Sequence, residues 1–204
     1  MWSNDTLKKY ADYFSGEIVN VSGWEDKDKT GGVYQEYFIN ADKYFITNFG
    51  NHAEASGQKE QIVLDLEKPI EQDLKERFDI VYNHTTLEHT FDVRTTFSNL
   101  CQMARDAVII VVPFAQIHHS TEAFKDYWRF TPCAIERLFN ISNYTLVVCE
   151  HNNNFNAATY LFCIGIRDDM LYKYKDFSKC DTTALPVVGR WIGSKLMSIV
   201  KGSK

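Results

Sequence analysis

Glycine is scarce where a nucleotide-binding fold would need it. In GEIVNVSGWEDKDKTGG, residues 16 to 32, only Gly23 stands where a loop leaving a strand would turn. That spacing cannot supply the glycine pattern used to approach a pyrophosphate, which disfavours a nicotinamide-dependent oxidoreductase. Cysteine pairs are lacking too. Cys101, Cys133, Cys149, Cys163 and Cys180 are odd in number, widely spaced and never in CxxC pairs, which argues against a zinc or redox framework and for buried reduced thiols. No window approaches the roughly 18 apolar residues of a spanning helix, and MWSNDTLKKYADYF has no apolar core of signal-peptide length, so a cytoplasmic location is expected. Nor is there a pool of basic charge across the main body. With 22 Lys and Arg against 27 Asp and Glu, a broad footprint for nucleic acid is not supported.

What is present is core-forming material. A chain of 204 residues, 45% of them hydrophobic, suits one domain, expected over residues 1 to 180, with a tail from 181 to 204. Seven short runs read as strands: EIVNV, KYFITNF, QIVLDL, FDIVYN, AVIIVVPF, TLVVCE and TYLFCIGI. The run 107 to 114 is apolar on both alternating faces, as a central parallel strand covered on each side would be. TFDVRTTFSNLCQMARD carries Phe97, Leu100, Met103 and Ala104 at helical spacing, and TPCAIERLFNIS opens with Thr131 and Pro132, suited to an N-cap and first helical position. The alternation predicts an α/β fold: an open, mostly parallel seven-stranded Rossmann-like sheet with helices on both faces. The stretch HNNNFNAA is short enough for a hairpin, so the last strand is expected to run antiparallel.

In such sheets ligands bind beyond the carboxyl ends of strands near the switch in strand order. That rule selects Ser22, Gly23 and Trp24, then Asn48, Asp65 and Leu66, Asn83 and His84, and the segment from Pro113 to His119. Amides and carboxylates at successive strand ends suit a nucleoside-sized ligand. The plain alternative is that Asn48 and Asp65 merely start turns.

The ordered series NVSG, YFITNF, VLDLEKPI, FDIVYNHTTLEH, VVPF, IHHS and DYWRFTP resembles the class I S-adenosylmethionine-dependent methyltransferases, in particular the small type 11-like group associated with glycan biosynthesis. It covers residues 16 to 166, and DYWRFTP is its most specific match. The resemblance implies S-adenosylmethionine as cofactor, with Asn20, Ser22, Gly23 and Trp24 approaching its methionine part and Asn48 its ribose. It further implies Asp65 and Leu66 at adenine, and Asn83 and His84 bordering the methyl group. Two departures stand out: a glycine signature reduced to Gly23, and Asn48 where an acid is usual. An amide lacks the charge-assisted part of a carboxylate's bond, about 1 kcal/mol, so weaker cofactor binding is expected. A degenerate, non-catalytic relative that binds a ligand or partner is the competing reading.

Methyl transfer from a sulfonium is an in-line displacement, for which the protein aligns the reactants in a dry pocket. Trp24 or Tyr82 are candidates to face the sulfonium, against their being core. A hydroxyl acceptor, a small molecule or glycan, needs a base, for which His118 comes first and His119 second. His89 is expected on a helix as a structural contact. Tyr127, Trp128 and Arg129 are candidate substrate contacts: Arg129 either clamps an anionic or polyhydroxylated acceptor or pairs with Asp126 while Trp128 covers the crevice mouth, a lid foundation first and a substrate contact second. No metal is expected, because His84, Glu88 and His89 form HxxxEH, which matches neither zincin spacing. The tail ALPVVGRWIGSKLMSIVKGSK places apolar residues at helical spacing among Arg190, Lys195, Lys201 and Lys204. Such a helix either packs on the domain or lies peripherally on the inner membrane surface, which would suit work on lipid-linked glycans.

Overall fold

The computed structural model describes residues 2–50, 61–122, 124–152 and 160–182. The chain opens with helix α1 (Trp2–Ala11), followed by β1 (Gly16–Val21), a 3-10 turn at Tyr34–Tyr37, β2 (Ala41–Asn48) and β3 (Gln61–Val63). After β4 (Phe78–His84) and a turn at Leu87–His89 come α2 (Val93–Met103), β5 (Ala104–Pro113), α3 (Pro132–Ile141), β6 (Tyr144–His151) and β7 (Tyr160–Arg167). Local chemistry sets the helix starts. The Asp92 carboxylate accepts the Thr95 N–H at 3.1 Å at the head of α2, and Thr131 accepts the Ala134 N–H at 3.2 Å, with Pro132 opening α3.

The seven strands form one sheet in the order β3-β2-β1-β4-β5-β7-β6. β1 to β5 pair in parallel, whereas β7 lies antiparallel between β5 and β6. Side-chain alternation divides the core between the sheet's faces. Val81, Val108, Ile110 and Val112 pack with Phe97 and Leu100 of α2 and Ile135 and Phe139 of α3. Ile80, Tyr82, Ile109 and Val111 pack with Leu7 and Ala11 of α1 and with Tyr34, Tyr37 and Phe38. β5 is therefore buried on both sides, as its unbroken apolar run predicts.

The structure differs from the sequence reading in several elements. α1 has little apolar periodicity: beyond Leu7 and Ala11 its buried residues are Ser3, Asn4 and Thr6. The third strand ends at Val63, leaving Asp65 and Leu66 in the following loop. His89 ends a single turn of 3-10 helix, Leu87–His89, rather than lying on an α-helix. The predicted hairpin tip at residues 153–159, and the amphipathic tail from residue 183 onward, lie outside the described residues.

Candidate functional site

Strand order reverses between β1 and β4, and the register sets Thr47, Val21 and Asn83 side by side at the tips of β2, β1 and β4. Asn20, Ser22, Gly23, Trp24, Asn48, Asn83 and His84 thus gather at one sheet edge, at the position where open α/β sheets bind ligands. Asp65 and Leu66 follow β3 on the same edge, since Val63 pairs with Asn48.

The loop after β1 is a folded cap, held by the polar side chains around it. Asn20 Nδ2 donates to Asp26 Oδ1 at 2.8 Å, and the Asp26 carboxylate also accepts from the Gln35 N–H and the Tyr44 hydroxyl. Burial raises the Asp26 carboxyl above its ordinary range, opposed by these three donors. Asn48 Oδ1 accepts the Trp24 N–H at 2.7 Å while its Nδ2 donates to the Trp24 carbonyl at 3.0 Å. Asn83 Nδ2 donates to the Val21 carbonyl at 2.8 Å. Asp65 accepts from the Glu67 N–H and pairs with Lys68, and Leu66 is buried.

Gly23 is fitted to the chain itself. A Cβ there would lie 2.6 Å from Asn20 Nδ2 and 3.1 Å from Ile46 Cγ2. Its neighbours Ser22, Trp24 and Asp26 all take positive φ, an unusual cluster for residues with side chains. Of the two aromatic candidates for a sulfonium, Tyr82 is fully buried in the core below the edge, and Trp24 is 53% exposed on the cap.

Beyond β4 the edge changes character. The Leu87–His89 turn buries Glu88 completely, and neither carboxylate oxygen meets a hydrogen-bond donor. Burial pushes its carboxyl up to about 7. Asn83 Oδ1 and Gln116 Oε1 are likewise buried without a donor. Gln116 Nε2 donates to the Tyr160 hydroxyl at 2.9 Å, and the Tyr160 ring lies 6.5 Å from His84. His84 is half-buried, with Nε2 3.3 Å from Ser3 Oγ and its ring 5.6 Å from Tyr34. Burial, with the charge of Lys29, lowers it to about 4, so the imidazole is neutral near pH 7. The sequence places Glu88 in FDIVYNHTTLEH and Gln116 in the segment from Pro113 to His119 but gives neither this role, and Tyr160 has no local signature. Only the fold brings them together.

Residues 116–129 close this end. Arg129 uses all five of its N–H donors within the chain: on Asp126 Oδ1 and Oδ2, at 2.6 Å each, and on the carbonyls of Gln116, Ile117 and Trp128. The Asp126 side chain is fully covered, and Arg129 holds its carboxyl well below the usual carboxylate range. His119 donates its backbone N–H to Asp126 Oδ2 at 2.8 Å and sets Nδ1 3.1 Å from the same oxygen. His118 is exposed, with Nε2 2.9 Å from Ser120 Oγ. Tyr127 and Trp128 form an exposed rim with Phe91, whose ring lies 5.3 Å from that of Tyr127. The Trp128 indole N–H donates to the Thr90 carbonyl at 2.9 Å.

A separate open groove of about 450 Å³ runs between α2 and α3, lined by Ile70, Phe97, Asn99, Leu138 and Ile141 among others. It lies on the helix layer and includes none of the strand-tip residues.

Neither a protein-family model nor a curated protein sequence matches the chain. Solved structures do. An S-adenosylmethionine-dependent methyltransferase from Mesorhizobium loti is similar over 80% of this chain and 96% of that one, at 12% identity and TM-score 0.60. Magnesium protoporphyrin IX methyltransferase from Synechocystis PCC 6803, solved with bound S-adenosylmethionine, is similar over 81% and 78% of the two chains, at 10% identity and TM-score 0.58. The 1,6-didemethyltoxoflavin-N1-methyltransferase of Burkholderia thailandensis, solved with bound 1,6-didemethyltoxoflavin and S-adenosylhomocysteine, is similar over 81% of this chain and 76% of that one, at 15% identity and TM-score 0.57. At these identities the likeness establishes the Rossmann-like methyltransferase fold.

Proposed function

We propose that this chain, folded as those methyltransferases are, is itself an S-adenosylmethionine-dependent methyltransferase acting on a small polar acceptor, with a saccharide hydroxyl the leading candidate. The observation that carries the reading is the strand order. It gathers the β1 loop and the tips of β2 and β4 at one edge, in a fold whose solved relatives include enzymes with S-adenosylmethionine or its demethylated product bound. The residues at that edge suit the cofactor's chemistry. Ser22, Gly23 and Trp24 set the β1 loop beside the methionine part, with their N–H groups held by Thr47 and Asn48, and Asp65 and Leu66 offer a carboxylate and an apolar surface to adenine. Asn20 and Asn48 act by holding the cap in shape. Asn83 and His84 border the transferred methyl group, and a neutral His84 does not repel a sulfonium.

The acceptor side favours a ligand rich in donors. Asn83 Oδ1, Gln116 Oε1 and the Glu88 oxygens are buried acceptors, the kind of group that hydroxyls satisfy. The Phe91, Tyr127 and Trp128 rim offers apolar surface to one face of a sugar ring. Proton removal falls to the histidine loop, where Asp126 fixes the His119 tautomer and leaves Nε2 able to accept a proton, with His118 beside it at the surface. The enzyme's share of the reaction is alignment and exclusion of water.

The competing reading, a methyltransferase-like module that binds without turnover, gains weight from one observation. The side chains of Asn20, Asp26 and Asn48 bond within the cap rather than stand ready for a ligand. Isothermal titration with S-adenosylmethionine and S-adenosylhomocysteine separates the two. The enzyme reading expects saturable one-to-one binding of both, and no binding of either at millimolar concentration would overturn it.

Membrane contact through the tail would place the enzyme peripherally at the inner membrane surface, near lipid-linked acceptors. Flotation with anionic liposomes tests this, since a chain ending at Thr183 should lose any binding that the full chain shows.

A further inference from the structure

We propose that Glu88, His89 and His119 hold a divalent first-row transition-metal ion at the acceptor end of the crevice. Among the described residues, one ligand atom from each of these three side chains lies within 4.8 Å of the other two. His89 Nε2 stands 3.9 Å from Glu88 Oε1. Metal bonds of about 2.0 to 2.2 Å require donors roughly 3 to 3.5 Å apart, so the side chains need to close by about 1 Å around an ion.

Three features beyond proximity point to a cation. Glu88 is fully buried on the turn, and both of its oxygens lack a hydrogen-bond donor. A buried carboxylate without a partner is costly, and a cation is one way to compensate it. Next, each imidazole is oriented from behind by an acceptor. His89 Nδ1 lies 2.7 Å from the Lys125 carbonyl and must carry the proton there, which leaves the lone pair on Nε2. His119 Nδ1 faces Asp126 Oδ2 at 3.1 Å and the Ile117 carbonyl at 3.3 Å, which places its lone pair on Nε2 in the same way. Carbonyl or carboxylate behind imidazole is the arrangement that fixes tautomer and ring direction in metal-binding histidines. Finally, the surroundings suit a cation. Phe124 packs against both rings, at 4.4 Å from His89 and 6.2 Å from His119, and the charge of Arg129 is neutralised by Asp126.

Two imidazoles and one carboxylate favour zinc, cobalt, manganese or iron over magnesium or calcium, which prefer all-oxygen sites. Three protein ligands also leave positions open for a further oxygen, the usual layout of a catalytic rather than a structural ion. If the chain transfers methyl groups, an acceptor oxygen bound there would lose its proton more readily by Lewis-acid action. His119 would then serve as a ligand, and the proton would leave by way of exposed His118 or water.

The test needs no methyl donor, so its outcome is independent of the methyltransferase reading. The full chain, freed of metal by chelation, is titrated with zinc chloride by calorimetry, and with cobalt(II) while visible absorption is followed. One-to-one binding is expected, weakened at least tenfold in Glu88→Gln and in His119→Ala and unchanged in His118→Ala, whose imidazole is a residue away and exposed. The cobalt band should vanish in His119→Ala. Absence of zinc and cobalt binding below millimolar concentration, or equal affinity in parent and both ligand variants, would overturn the proposal. Should Glu88→Gln fail to fold, the cobalt spectrum of His119→Ala decides on its own.

Discussion

Asn48 shows how one amide can be read two ways. In the methyltransferases this sequence resembles an acid is usual at the end of the second strand, where the ribose is expected, so the sequence suggests a weakened ligand contact. In the structure both ends of the amide engage the Trp24 backbone, Oδ1 taking the N–H and Nδ2 giving to the carbonyl. That pairing requires a donor and an acceptor on the same short side chain, which asparagine has and ionised aspartate lacks. Asn48→Asp therefore sets a carboxylate oxygen against the Trp24 carbonyl, at a residue with only 3% of its surface exposed. The expected cost is about 1 to 3 kcal/mol of stability, from one lost bond and one unsatisfied acceptor, measurable by urea unfolding at neutral pH. Affinity for S-adenosylmethionine should fall or stay level. Tighter binding by the aspartate variant would show that Asn48 faces the ribose and that the cap opens when the cofactor enters.

At the scale of elements, the strands were the most legible part of the chain, because β5 and its neighbours carry their burial in the sequence itself. Val108, Ile110 and Val112 face one side while Ala107, Ile109 and Val111 face the other, so an apolar run without alternation announces a doubly covered strand. α1 was not legible, for the opposite reason: Ser3, Asn4 and Thr6 are buried through polar contacts that no periodicity scale rewards. Ser3 approaches His84, and Asn4 Nδ2 reaches Thr30 Oγ1 at 3.4 Å. Packing between elements leaves a sharper mark at Gly165 on β7. A Cβ there would fall 2.2 Å from Cε1 of Phe139, the ring that α3 lays across the sheet. The ring is held at 4.9 Å from Phe97 and cannot swing away cheaply. Gly165→Ala should cost about 1 to 3 kcal/mol as an overpacked core. The double variant with Phe139→Leu should recover part of that loss, and strict additivity of the two single changes would deny the contact.

At the scale of the whole molecule, the candidate site is assembled from segments that are remote in sequence. Glu88 and His89 come from the turn after β4, His119 and Asp126 from the segment after β5, Tyr160 from the start of β7, and Ser3 from the first turn of α1. Local spacing around HxxxEH argues against a metal, whereas the proposed ion site takes its third donor, His119, through the fold and not through the helix periodicity that zincin patterns encode. The Gly23 loop, by contrast, was legible in place but not in purpose, since the need for glycine there comes from the Asn20 side chain beneath it. The same long-range dependence makes α1 a support of the site as well as of the core. Leu7 and Ala11 are fully buried against the face that carries Tyr82 and Ile109, and Tyr10 stacks on Phe162 of β7 at 5.8 Å. Leu7→Ala should lower unfolding free energy by about 2 to 5 kcal/mol, the usual range for a buried leucine. The loss should appear as a lower urea midpoint at unchanged slope. Removing residues 1–12 goes further, because it uncovers that face and takes Ser3 from His84. The shortened chain should keep most of its strand content by circular dichroism yet bind a hydrophobic dye and lose its sharp transition, as chains do when packing fails but the backbone stays collapsed. A truncated chain with the parent's midpoint and slope would mean that the sheet holds its second face without α1, and that the helix contributes to the site alone.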